Sequence, residues 1–82
     1  MNTADLFTAF CRALWGERFK APAAEALKVS IARIDDWSKG RGRPPAAGVW
    51  HDLAAIASNR QAELSHLLPL VRRATERSTS PS

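Results

Sequence analysis

APAAEALKVSIARIDDWSKGRG, residues 21–42, carries the punctuation of two short helices joined by a tight turn. Pro22 suits the start of a helix, where its missing N–H has no partner to lose. Ala23, Ala24 and Ala26 are small, so another helix can approach closely, and Leu27 is apolar. This helix is expected to end around Lys28. Val29 then falls in the turn, and Ser30 is a good N-cap for the next helix. Ile34 and Trp37, three residues apart, are expected to face a core. Asp35, Asp36, Ser38 and Lys39 point outward or flank it. Gly40 supplies the stop. A small residue at 24, an apolar one in the turn and two large anchors after it predict a helix-turn-helix.

Working outward, Thr3 is the expected cap of a first helix, with Asp5 favourable in its first turn. Leu6, Phe10 and Leu14 recur at four-residue spacing with Phe7 and Ala13 beside them, which predicts one apolar stripe. Gly16 closes that helix. After Gly40, RGRPPAA (41–47) reads as a connection stiffened by Pro44 and Pro45. A helix is expected to restart around Gly48, with Val49, Leu53, Ile56 and Ala57 packed on the earlier helices. A second pattern overlaps it: Trp50, Leu53, Ala57, Arg60, Leu64, Leu67 and Val71 alternate three and four spacings, as a dimer seam or a long intradomain helix would. Pro69 is expected to kink this helix or end it near Leu68. Residues 70–77 add a turn or two, and STSPS (78–82) reads as a disordered tail. The expected fold is all-α, four to five helices around a central helix-turn-helix, in one domain over residues 1–77.

The chain has 82 residues, room for one modest core, and 45% of them are hydrophobic, too many for a disordered chain. No apolar run approaches the ~18 residues of a membrane span. MNTADLFTAFCRALW (1–15) lacks a basic start and holds Asp5, so it does not read as a signal peptide. The single cysteine, Cys11, has no disulfide partner in the chain, which fits a reducing cytoplasmic location. Net charge is +4, and it is concentrated. Lys39, Arg41 and Arg43 lie within five residues, and no acid follows Asp36 until Asp52. Arg72, Arg73 and Arg77 form a second basic group beside Glu76. Local basic clusters point to a polyanion partner.

Nothing suggests an enzyme, a cofactor or a metal. His51 and His66 are fifteen residues apart, about 22 Å along one helix, and cannot share an ion within a chain. Asp35 and Asp36 are adjacent and diverge on a helix, so they do not form a catalytic dyad. Cys11 reads as a packed thiol. No phosphate loop, Ser–His–Asp order or metal-spaced cysteine cluster occurs.

Residues 14–68 resemble the lambda-repressor-like (Cro-type) helix-turn-helix class of small bacterial and phage proteins. The likeness rests on Leu14, Trp15, Gly16, Phe19, Pro22, Ala24, Leu27, Val29, Ser30, Ile34, Trp37, Gly40 and Arg41, then PPAAGVWHDLAAI from Pro44. It implies a regulator of transcription, repressor-like and often dimeric, that binds double-stranded DNA and associates with the nucleoid. By that likeness Ser30, Ile31, Ala32, Arg33 and Asp36 face the major groove. Arg33 suits guanine, Ser30 is a minor donor, Ile31 or Ala32 suits thymine methyls, and Asp36 accepts from cytosine. Phosphate contacts fall to Lys20, Lys28, Lys39, Arg41 and Arg43. A dimer would form through Trp50, Leu53, Ala57, Leu64, Leu67 and Val71. A rival reading keeps the scaffold for a protein partner, as a phage-encoded inhibitor of a host protein would. Ile31 and Ala32 beside Asp35 and Asp36 motivate it.

Overall fold

The computed structural model describes residues 1–79, and every regular element among them is an α-helix. Helix α1 spans Thr3–Trp15, α2 Lys20–Leu27, α3 Ile31–Lys39 and α4 Ala47–Thr79. The fold is all-α with four helices, and α2 and α3 are joined by only three residues.

Asn2, one residue before the expected Thr3, caps α1: its side chain accepts from the Asp5 backbone N–H at 2.8 Å. The buried line of α1 is Phe7 and Cys11, while Leu6 and Ala13 are exposed and Phe10 and Leu14 are half-buried. Two neighbouring stripes both had four-residue spacing. Contact with α2 and α3 selects the one holding Phe7. Gly16 ends α1 at φ 85°, ψ −167°, a region open only to glycine, and its N–H donates to the Arg12 carbonyl at 2.8 Å.

Helix α2 begins at Lys20, two residues before Pro22. Pro22 still lies in the first turn, where backbone N–H groups lack helical partners. The first turn is closed by the bond from the Ala23 N–H to the Phe19 carbonyl at 2.8 Å. Lys28 ends α2 in the left-handed conformation, φ 59°, and the Val29 N–H reaches back to the Ala24 carbonyl at 3.0 Å. That six-to-one bond is a Schellman closure usually made with glycine. Ser30 caps α3 as expected, accepting from the Arg33 N–H at 3.1 Å. Gly40 ends it at φ 72°, with the Arg41 N–H donating to the Asp36 carbonyl at 2.8 Å.

The core gathers Phe7 and Cys11 from α1, Phe19 before α2, Ala23 and Ala24 from α2, Ile34 and Trp37 from α3, and Leu53 from α4. Phe7 is its hub, meeting Trp37 and Trp50 edge-on at centroid distances of 5.6 and 6.1 Å. Burial of a side chain such as Phe7, Ile34 or Leu53 contributes roughly 1.5–3 kcal/mol. Alanines 23 and 24 leave room for this approach. The Thr8 hydroxyl adds a donor to the Ser38 carbonyl at 3.2 Å, tying α1 to the end of α3.

Helix α4 does not stop near Leu68; it runs through Pro69 to Thr79. Proline removes one helical donor, opposite the Ser65 carbonyl. Ser65 is exposed, so water can take that carbonyl. Ser78 and Thr79, expected in the tail, are the last two residues of α4. The rest of the expected tail, residues 80–82, lies outside the described residues.

Candidate nucleic-acid interface

Helix α3 turns Ile34 and Trp37 inward, and its first residues, Ile31, Ala32 and Arg33, stand clear of the core. All three are exposed, Ile31 by 53%. Ser30 is exposed as well, with its oxygen engaged as the cap, and Asp36 is half-buried. The five expected base-reading residues therefore share the start and outer flank of one helix.

The expected phosphate rim divides into two sets. Lys20, Lys39 and Arg41 converge on Asp35. Lys20 Nζ lies 2.5 Å and Lys39 Nζ 3.1 Å from Asp35 Oδ1, and Arg41 Nη1 lies 3.7 Å from Oδ2. Arg41 also stands 3.9 Å from Asp36 Oδ1. Three cations against two carboxylates leave one net positive charge there. Lys28, Arg33 and Arg43 make no side-chain ion pair or hydrogen bond among the described residues. Arg33 and Arg43 border a shallow groove of about 280 Å³ that also includes Asp36, Trp37 and Arg41.

Local structure explains the convergence. Lys39 is four residues after Asp35, one helical turn away. The Schellman closure at Gly40 folds the chain back, and the bond from the Arg41 N–H sets that guanidinium over Asp35 and Asp36. Lys20 arrives from the first turn of α2, and hydrogen bonds from Lys20 and then Lys39 hold the Asp35 carboxyl below its usual range. Asp35, expected to point outward or flank the core, is half-buried beneath these cations. The Lys39 spacing was visible in the sequence, whereas Lys20 lies fifteen residues away and required the α2–α3 packing.

The residues expected to form a dimer seam do not share one environment. Leu53 is 1% exposed, and Trp50 packs against Phe7, so both serve the chain's own core. Ala57 is half-buried. Arg60, read as a polar position in the seam, donates from Nη1 to the Leu14 carbonyl. It thereby satisfies an orphan carbonyl at the C-terminal end of α1, where a cation also suits the helix dipole. Leu64, Leu67 and Val71 are exposed.

Burial raises the Cys11 thiol to about 11, consistent with a packed side chain. Among the described residues no group of three or more His, Cys, Asp or Glu is placed to hold a metal ion, and no helix is long and apolar enough to cross a membrane. Comparison with family models, curated proteins and solved structures finds no match to this chain.

Proposed function

We propose that the protein binds double-stranded DNA through the outer face of α3 and acts as a small transcriptional regulator, repressor-like in mode. The observation that carries this reading is the exposed start of α3: Ser30, Ile31, Ala32 and Arg33 stand together, capped and unobstructed, with unpaired Arg33, Arg43 and Lys28 around them. Arg33 is the strongest base reader, since a free guanidinium makes two bonds to guanine. Arg43 and Lys28 are the ready phosphate contacts, while Lys20, Lys39 and Arg41 must exchange Asp35 for phosphate. Affinity should therefore be salt-sensitive and specificity modest for one domain.

The test is a salt titration of duplex binding. Arg43→Ala is expected to weaken binding equally across sequences and to flatten the salt slope by about one contact, near 0.9 in the logarithmic plot. Arg33→Ala is expected to narrow the gap between preferred and random duplex by about 1–3 kcal/mol. Binding that ignores salt and both substitutions would sink the proposal.

A second reading has its own observation. Asp35 and Asp36 draw off charge from Lys20, Lys39 and Arg41, while the apolar Ile31 stays exposed beside them. That mixture suits a protein surface. It predicts no duplex affinity at low salt and a stoichiometric complex that Ile31→Glu abolishes.

A further inference from the structure

Asp35 is the point on which cations from three places in the chain converge. Lys20 comes from the first turn of α2, Lys39 from one helical turn further along α3, and Arg41 from beyond the Gly40 stop. Their nitrogens lie 2.5, 3.1 and 3.7 Å from its oxygens. The carboxylate lies beneath them: its side chain is 24% exposed, against 41% for Lys20, 48% for Lys39 and 62% for Arg41. A polyanion arriving from solvent therefore meets the cations first and finds them already engaged. What engages them has the chemistry of the ligand itself. A carboxylate, like a phosphodiester, offers two oxygens sharing one negative charge to ammonium and guanidinium donors.

We propose that Asp35 is an internal competitor of the DNA phosphates, a lock that occupies Lys20, Lys39 and Arg41 and holds down the affinity of the domain for duplex. The lock presupposes that α3 binds DNA. Each of the three cations must leave one anion to grip another, so the exchange yields little. The net gain of phosphate contact falls to Lys28 and Arg43, which have no such partner. Removing the Asp35 charge raises the surplus of this cluster from one positive charge to two, because Asp36 alone remains against the three cations. Phosphate contacts carry no sequence information, so the lock acts on the sequence-independent part of affinity. Its release should tighten preferred and random duplex alike. Asp35 thus trades binding for stability: the same contacts that brace α2 against α3 withhold the rim from DNA.

The experiment is a salt titration of random-sequence duplex binding by the full chain, comparing wild type with Asp35→Asn, Asp36→Asn and Arg43→Ala. Asp35→Asn is expected to tighten binding about three- to tenfold near ~0.1 M salt and to steepen the logarithmic salt slope by about 0.9, one further phosphate contact. The gain should come with a lower melting temperature and an intact near-UV signal from the core aromatics, a pairing that a merely structural role would not produce. Asp35→Ser, also uncharged, should show the same gain and guards against one variant misfolding. Simple repulsion of DNA by an acid would act at least as strongly through Asp36, whose side chain is 47% exposed. Asp36→Asn should therefore gain less than Asp35→Asn, and an equal or larger gain overturns the lock. Folded Asp35 variants that bind no tighter than wild type overturn it too. If wild-type binding is nonetheless salt-sensitive and weakened by Arg43→Ala, the DNA-binding reading survives that result. Duplex binding by Asp35→Asn alone, with none by wild type, supports the lock in its strongest form. Absence of binding by both at low salt overturns the lock and the DNA-binding reading together.

Discussion

Asp35 accepts from the ammonium groups of Lys20 and Lys39 and lies 3.7 Å from the Arg41 guanidinium. Its carboxyl is held below the ordinary value by the hydrogen bond from Lys20 first and that from Lys39 second. A depressed folded-state value means that its contribution is fully present above the unfolded value, about 3.9, and is lost as pH falls through the folded one. Thermal melts followed by circular dichroism should show this. Asp35→Asn is expected to lower the melting temperature at pH 7, where three cations lose their common counter-charge. It should also flatten the acid limb below about pH 4, so that wild type and variant converge in strong acid. An unchanged acid limb would show that the carboxylate is energetically idle. Ser30 and Gly40, by contrast, act within three or four residues of themselves, which is why their roles were legible beforehand.

Among the elements, α2 is the one closed against local preference. Lys28 takes a left-handed conformation that costs a side-chain-bearing residue about 1–2 kcal/mol, and glycine takes it freely. Lys28→Gly is therefore expected to raise stability by roughly 0.5–1 kcal/mol after the entropy of glycine is subtracted, measured by urea denaturation. A neutral or destabilising result would mean that Lys28 supplies a compensating contact. If the protein binds DNA, the same substitution removes one phosphate contact, so stability and affinity should move in opposite directions. The helix ends followed local chemistry closely, with caps at Ser30 and Gly40 and the stop at Gly16. The exceptions have physical reasons. Asn2 takes the cap in place of Thr3. The two apolar rows of α1, Leu6/Phe10/Leu14 and Phe7/Cys11, are equivalent in spacing. Pro69 lies in an exposed part of α4, where water relieves the lost bond.

On the scale of the whole molecule, Cys11 sits where α1, α2, α3 and α4 all contribute to one core, and burial pushes its thiol up to about 11. Both effects suppress thiolate formation. Its alkylation at pH 8 is expected to be slower than that of a free thiol and to track global unfolding, because side chains from all four helices cover it. Mass-spectrometric labelling across a urea series should follow the circular-dichroism transition. Labelling that precedes that transition would reveal a separable α1. The arm of α4 should contribute little to this barrier, since its side chains beyond Arg60 make no part of the core.

By itself, the sequence determined the helical class, the α2–turn–α3 pair and the anchors Ile34 and Trp37. Those features follow from caps, glycine stops and a 3.6-residue period, which act over a few residues. Tertiary structure alone decided the rest. It chose Phe7 as the hub, brought Lys20 to Asp35, set Arg60 as a cap on α1, and buried Leu53 in the core. Each of these joins residues far apart in the chain, and periodicity cannot report which of two apolar faces, or which of several cations, the packing of other helices will claim.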